Sequence, residues 1–279
     1  MNNKPNFVLL NNNFIDSKTA TINIDNRGFL FGDGLFETCR FHQQRIINFD
    51  LHWDRLKMGA NYLKISLPSK NILKKSAENL IIKNQTLDGL VKIHISRNTQ
   101  SNGYLPVDLT KNDILIQTKN FPPRPLDDNL IICDYNPQIY NFKTLNSIPY
   151  ILAKIFAHEN NAIDSIMLDS EQNICETSSA NIFWIKNNKI FTPNLDCSII
   201  NGTIRQSILA IKDLNISEGK YQISHLENAD EVFITNCNLL IFPISTIAFR
   251  NKKNFYNINY KKTLVKKVEK LLKIEFKIF

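Results

Sequence analysis

The sequence predicts an α+β or α/β protein in two domains, a smaller α/β part followed by a larger strand-rich part. Three observations carry this. Short apolar runs separated by polar breaks recur along the chain, the pattern of half-buried strands. Amphipathic stretches at helical spacing lie among them. A stiff segment, FPPRPLDD, crowds Pro122, Pro123 and Pro125 together, which suits a linker and neither a helix nor a central strand. The domains then run over residues 1–121 and 129–279, with 122–128 between them.

In the first part, strands are expected at Phe7–Leu10, Leu35–His42, Arg45–Phe49, Val91–Ser96 and Ile114–Thr118, with hairpin turns at Asn11–Asn13 and Gln43–Gln44. Asp50 suits the cap of the next helix, in which Leu56, Ala60 and Leu63 share one face while Arg55 lies off that stripe. In the second part, strands are expected at Leu130–Tyr135, Ser165–Asp169, Ile174–Ile185 with a continuation at Lys189–Thr192, and Glu231–Thr235. Ile148, Ile151, Leu152, Ile155 and Phe156 keep the spacing of one helix face, and Leu264, Val265, Val268, Leu271 and Leu272 nearly do, giving a helix that ends the chain.

Composition narrows the class of function. With 43% hydrophobic and 22% charged residues in 279, the chain is an ordinary globular protein, not a disordered tail, collagen, coiled coil or membrane bundle. The net charge is +8, but the lysines are scattered. The densest stretch, Lys261 to Lys273, reads as the polar face of a helix, so no nucleic-acid partner is expected. The five cysteines are odd in number and contain no Cys-x-x-Cys pair, against a zinc site or a disulfide framework and in favour of a reducing cytoplasm. The N-terminal apolar stretch is too short for a signal peptide, and the longer run Leu239–Phe249 is broken by Pro243, Ser245 and Thr246, so no membrane segment is expected. His42, His52, His94, His158 and His225 fall singly on different elements, read as structural or solvated, with no metal site.

Glycine is scarce, eight residues in all, about 3% against a usual ~7%. Three of the eight, Gly28, Gly32 and Gly34, fall in one short turn, where backbone geometry has to demand them. Elsewhere Glu176 lies in the otherwise apolar or small run ICETSSANIFWI, where a carboxylate is costly unless a cation meets it. Asn201-Gly202-Thr203-Ile204 precedes an amphipathic run, so Gly202 and Thr203 can present amides, and Thr203 a hydroxyl, to an anion at the positive end of a helix.

Four segments make sense together: NRGFLFGDGLFET at 26–38, FKTLNSIPYILAK at 142–154, ICETSSANIFW at 174–184 and IINGTIRQS at 199–207. Their order and spacing resemble the class IV fold of pyridoxal-phosphate enzymes, which holds branched-chain aminotransferases, D-amino-acid aminotransferases and aminodeoxychorismate lyases. The resemblance covers essentially the whole chain. It implies pyridoxal 5′-phosphate as cofactor, held as a Schiff base by Lys143, with Glu176 on the ring nitrogen. It implies a phosphate site made by Arg55 and the Gly202, Thr203 and Ile204 segment. Ile204 stands where the aminotransferases carry a threonine, which leaves that position its amide alone.

Substrate choice rests on two further segments. Asn236 and Cys237 stand where branched-chain aminotransferases have a Gly-Thr-Ala turn, and the Thr-Asn-Cys wording is similar to the lyases; both residues are expected beside the cofactor. SRNTQSNGYLP resembles the lyase segment ending in Arg-Gly-Tyr and lacks the Arg-x-His pattern of D-amino-acid aminotransferases. The lyase arginine falls on Asn102, so Arg97 or another basic residue is expected to anchor the substrate, together with Tyr104 and Thr38. Of Phe31, Leu35 and Phe36, core roles are expected. The function implied is a cytoplasmic, homodimeric lyase that converts 4-amino-4-deoxychorismate to 4-aminobenzoate and pyruvate in folate biosynthesis, with an aminotransferase of the same fold as the alternative.

Overall fold

The structure, a computed structural model, describes residues 6–98, 103–227, 229–249, 252–258 and 263–278. The chain forms two compact units, Met1–Pro122 with Phe142–Asn146, and Pro123–Asn141 with Ser147–Phe279. The division falls between Pro122 and Pro123, inside the proline-rich segment. It also gives residues 142–146 to the first unit, whereas the sequence placed them in the second domain.

The first unit contains β1 (Phe7–Leu10), β2 (Asn13–Asp16), α1 (Arg27–Phe31), β3 (Gly34–His42), β4 (Arg45–Ile46), α2 (Phe49–Leu63), α3 (Lys70–Lys83), β5 (Gly89–Arg97) and β6 (Asn112–Lys119). Its sheet is antiparallel throughout, in the order β2-β1-β6-β5-β3-β4. Two-residue turns at Asn11–Asn12 and Gln43–Gln44, all four with positive φ, close its hairpins, as the right-handed twist of the strands requires. Alternation along the strands sends Leu35, Cys39, Phe41, Val91, Ile93, Ile95 and Ile116 into a core with Leu56 and Ala60 of α2 and Leu73, Ala77, Leu80 and Ile81 of α3. The opposite face, with Phe36, Thr38, Arg40, Lys92 and His94, is half-buried. Phe36 therefore leaves the core expected for it, and Phe31 is exposed; Leu35 is buried.

The expected strand at Arg45–Phe49 stops at Ile46, because Asn48 turns into the left-handed region and α2 starts at Phe49. Asp50 is thus inside the first turn, where its charge suits the helix dipole, and not at the cap. Helices α1 and α3 were not expected; Asn26 and Ser69 cap them with side-chain oxygens.

The second unit contains β7 (Asn129–Ile132), α4 (Ile148–Glu159), β8 (Asp164–Leu168), β9 (Ile174–Thr177), β10 (Asn181–Lys186), β11 (Lys189–Pro193), α5 (Thr203–Leu209), β12 (Ile216–Gly219), β13 (Glu231–Thr235), β14 (Phe242–Ile244), β15 (Thr246–Phe249), β16 (Lys252–Asn257) and α6 (Thr263–Phe276). Among the described residues they form a ten-stranded mixed sheet ordered β12-β11-β10-β9-β8-β7-β15-β16, with β13 on β10 and β14 on β13. Trp184, Ile166, Ile182, Val232, Ile234 and Ile244 make the heart of its core.

Two expectations fail here for physical reasons. Ile174–Ile185 is two strands, because Asp164 of β8 accepts hydrogen bonds from the hydroxyls of Thr177, Ser178 and Ser179 and folds the chain back at Ser178–Ala180. The apolar stripe of α4 does not face the core. Ala153, Phe156 and Ala157 do, whereas Ile148, Ile151, Leu152 and Ile155 are 40–61% exposed. No helix among the described residues is long and apolar enough to cross a membrane.

Candidate functional site

The first unit carries Lys143. Its segment is zipped onto the start of β3: Phe36 N–H donates to Lys143 O (3.3 Å), Leu145 N–H donates to Gly34 O (3.0 Å), and Leu35 bridges Thr144. The approach is close enough that a Cβ on Gly34 would lie 2.5 Å from Ile95 O and 2.6 Å from Leu145 Cδ1, so only glycine fits. The Lys143 amine lies 5.0 Å from the centroid of the Phe36 ring. Thr38 sits on the same half-buried face of β3, two residues on.

Arg55, expected off the buried stripe of α2, is 3% exposed. Its Nε and Nη2 donate to the two oxygens of Glu37 at 2.7 and 2.6 Å, and His52 Nδ1 lies 2.7 Å from Glu37 Oε2. Burial alone would push the Glu37 carboxyl up, but the Arg55 guanidinium and the His52 ring outweigh it and hold it down to about 2. Glu37, Cys39 and His52 lie within 4.8 Å of one another and look like a metal set. Both Glu37 oxygens, however, already accept hydrogen bonds from the Arg55 guanidinium.

Arg97, expected to anchor substrate, is 4% exposed and committed elsewhere. Its guanidinium donates to both oxygens of Asp33 (2.9 and 3.3 Å) and to the carbonyls of Leu63 (2.7 Å) and Lys64 (3.1 Å) at the end of α2. Arg27 also binds Asp33 (2.8 Å) and reaches the carbonyls of Gly103 and Tyr104. Burial raises the Asp33 carboxyl, and the two arginines more than reverse it. This is an interlock between α1, α2 and β5, not an open cation. Tyr104 is 86% exposed, edge-on to Phe31. Asn102 lies outside the described residues.

The second unit carries Glu176, 3% exposed at the end of β9. It accepts from three neutral donors: Tyr150 Oη at 3.1 Å, Asn181 Nδ2 at 3.0 Å and the Ile200 amide at 3.1 Å. A carboxylate taken out of water needs donors to replace the water it lost, and these three supply them. Burial, then the neighbouring Glu176 charge, push the Tyr150 hydroxyl far above its ordinary value, so it is a fixed neutral donor. Asn181 also donates to Ile200 O (2.9 Å), tying the carboxylate to the loop before α5.

Gly202 caps α5, and a Cβ there would lie 2.0 Å from Asn181 Oδ1. Thr203 and Ile204, in the first turn, are buried. Cys237 Sγ lies 3.4 Å from Thr203 Oγ1. The Asn236 side chain is used up by its own turn: Oδ1 accepts from the amides of Asn238 and Leu239, and Nδ2 donates to Ser179 O.

The expected residues thus fall into two sets, Lys143, Arg55, Thr38, Arg97 and Tyr104 in the first unit and Glu176, Gly202, Thr203, Ile204, Asn236 and Cys237 in the second. Sequence reasoning missed Glu37 and His52, which lock Arg55, and Tyr150 and Asn181, which lock Glu176. A faint signal existed for Asn181, a polar residue five places after the glutamate in an apolar strand.

The amino-transferase class IV family model matches residues 34–247. A D-alanine aminotransferase from Listeria monocytogenes is 31% identical over 259 residues, covering 86% of this chain and 87% of that protein. An aminodeoxychorismate lyase from Vibrio harveyi is 28% identical, covering 83% and 90%. The crystal structure of a putative 4-amino-4-deoxychorismate lyase from Legionella pneumophila, 26% identical, superposes with a TM-score of 0.84 over 93% of this chain and 97% of that one.

Proposed function

The chain belongs to the amino-transferase class IV family, and from that premise we propose that it is a lyase converting 4-amino-4-deoxychorismate to 4-aminobenzoate and pyruvate. Its cofactor is pyridoxal 5′-phosphate, and the residues present suit that molecule. Lys143 would hold it through its amine, and the buried Glu176, fixed by neutral donors, suits a protonated ring nitrogen. The amides at the start of α5, from Gly202 to Ile204, suit its phosphate. Arg55 enters as a partner of Glu37, so what it offers a phosphate is a donor fixed in direction more than a net charge.

When bound, the cofactor supplies an electron sink for negative charge at the amine-bearing carbon of the substrate. Lys143 takes the proton from that carbon and serves as general acid for the departing side. Glu176 keeps the ring nitrogen charged. Thr38, on the face that bears Lys143, is the substrate-side contact in this reading.

Two observations support the lyase: the Thr235-Asn236-Cys237 turn against Thr203, similar to the lyases where branched-chain aminotransferases carry Gly-Thr-Ala, and the lack of the Arg-x-His pattern of D-amino-acid aminotransferases. The 31% identity to a D-alanine aminotransferase favours a second reading, transamination of D-amino acids. Incubation with enzymatically generated aminodeoxychorismate, following 4-aminobenzoate by fluorescence, separates the two, because pyruvate alone could come from either. Rapid 4-aminobenzoate formation is expected; its absence, with D-alanine and 2-oxoglutarate giving pyruvate and glutamate, would replace the lyase with the transaminase.

A cytoplasmic homodimer completes the reading. The exposed stripe Ile148, Ile151, Leu152 and Ile155 on α4 supports the dimer, since four large apolar side chains on one helix face are costly in water. Sedimentation of wild type against Ile151→Asp tests it: the wild type should run as a dimer and the variant as a monomer.

A further inference from the structure

Asn141 ends the stretch Pro123–Asn141 of the second unit, and the next residue, Phe142, already belongs to the first. The chain therefore changes unit across one peptide bond, two residues before Lys143. Hydrogen bonds crowd that point on the second unit's side. The half-buried Asn141 donates its side-chain amide to Leu195 O (3.0 Å) and to Ile199 O (2.8 Å), and its backbone carbonyl accepts from the Asn201 amide (3.0 Å).

The segment that Asn141 grips is the one that supports Glu176. Ile200 gives its amide to Glu176 Oε1 (3.1 Å), and its carbonyl accepts from Asn181 Nδ2, which also donates to Glu176 Oε2. Cys197 and Ile199 pack with Cys175, the residue before Glu176, in a buried cluster. Asn141 is thus bonded to a support that is itself pinned to β9. On the other side of the crossing, Phe142 is buried against α2, with its ring centroid 5.5 Å from that of Tyr62, and Lys143 O accepts from the Phe36 amide. Two residues of chain reach at most about 7 Å, so the grip on Asn141 limits how far Lys143 can stand from the Glu176 support.

We propose that Asn141 is a positioning residue, which holds the Lys143 amine at the spacing from the Glu176 carboxylate that one cofactor ring requires. The inference rests on the reading that Lys143 and Glu176 hold the two ends of that ring, and it is the same for a lyase or a transaminase. Lys143 and Glu176 belong to different units, so the packing of neither unit alone sets their spacing. The short link through Asn141 does, and small errors in such a spacing are costly. An asparagine suits the task, since one neutral amide nitrogen serves two carbonyls, whereas an aspartate would offer them no donor.

The test compares two forms of the cofactor on the apoprotein. Pyridoxal 5′-phosphate has an aldehyde, to which the Lys143 amine adds with loss of water. Pyridoxamine 5′-phosphate has an amine in its place and cannot form that bond, while its ring nitrogen and phosphate are the same. Asn141→Ala should bind pyridoxal phosphate about tenfold more weakly, the size of a lost hydrogen bond or two, and should bind pyridoxamine phosphate as the wild type does. Asn141→Asp, which keeps the size and loses the donor, should do the same. Lys143→Ala should show this selective loss in larger measure. A residue that only stabilised the 195–201 segment would weaken both forms alike, through Glu176. Equal weakening of the two forms in both Asn141 variants, or none, would overturn the proposal, while a selective loss in Lys143→Ala would leave the lysine reading standing. No selective loss in Lys143→Ala would overturn that reading and the proposal with it.

Discussion

Tyr150 donates its hydroxyl to Glu176 across 3.1 Å, from a helix that starts two residues after the lysine segment ends to a strand end 26 residues further on. The contact joins a phenol that does not ionise to a carboxylate that is 3% exposed. Tyr150→Phe removes that donor and leaves the ring in place. The variant should lose about 1–3 kcal/mol of stability, the cost of an unmet buried acceptor, and should bind pyridoxal phosphate more weakly. Denaturant unfolding of the apoprotein and absorbance titration with cofactor measure the two effects; no change in either would mean that Asn181 and the Ile200 amide suffice.

Gly202→Ala should act on the same carboxylate from the other side. Its Cβ would fall 2.0 Å from Asn181 Oδ1, so Asn181 must leave its bonds to Glu176 and Ile200 O. Cofactor affinity should fall at least as far as in Tyr150→Phe. Since both act through Glu176, the double variant should lose less than the sum of the singles, and strict additivity would disconnect the two.

Lys143→Ala should abolish turnover while leaving the thermal unfolding midpoint within a few degrees of wild type, because the side chain is only half-buried. Borohydride reduction of the wild type with bound cofactor should place a stable adduct on Lys143 alone, read by peptide mass; an adduct on another lysine would remove it from the site.

Acid should strike the first unit through Glu37. Its folded value of about 2 lies below the ordinary 4.5, so its stabilisation is present in full above about pH 4.5 and is lost as the pH falls through about 2. Glu37→Gln strands the Arg55 charge and should cost about 3–5 kcal/mol at pH 7. Its stability should then depend less steeply on pH between 4.5 and 2 than that of the wild type, as denaturant curves at each pH would show.

Arg97→Lys should behave as a stability variant. A lysine cannot span Asp33 and the Leu63 and Lys64 carbonyls together, so about 1.5–3 kcal/mol should be lost. KM should not move; a KM rise at unchanged stability would restore Arg97 to substrate binding.

Much of this was legible in the sequence, and the gaps have a common cause. Period-2 alternation in Leu35–His42 and Val91–Ser96 fixed those strands because one face is buried on helices. The Ile174–Ile185 run misled because every residue there except Glu176 and Asn181 is apolar or small, and the break at Ser178–Ala180 is set by Asp164, ten or more residues upstream. The α4 stripe misled in the opposite sense, since spacing reports that a face is apolar but not what covers it. Lys143, Glu176 and Gly202 could be singled out as candidates through the company they keep. Glu37, Tyr150 and Asn181 were not, because their roles consist of contacts with residues distant in sequence, and no spacing encodes those.

The five residues 142–146 bind to β3 although the nineteen residues Pro123–Asn141 of the second unit separate them from the rest of the first. No single cut in the polypeptide can therefore release either unit whole. A fragment ending at Pro122 lacks the piece that carries the lysine, and on the ribosome the first unit stays unfinished until residue 146 has emerged. Swapping one unit for a relative's would likewise take three exchange points, one at Pro122/Pro123 and one on each side of 142–146. Lys143 is inherited as an inset, bound by contact to one unit and by the chain to the other.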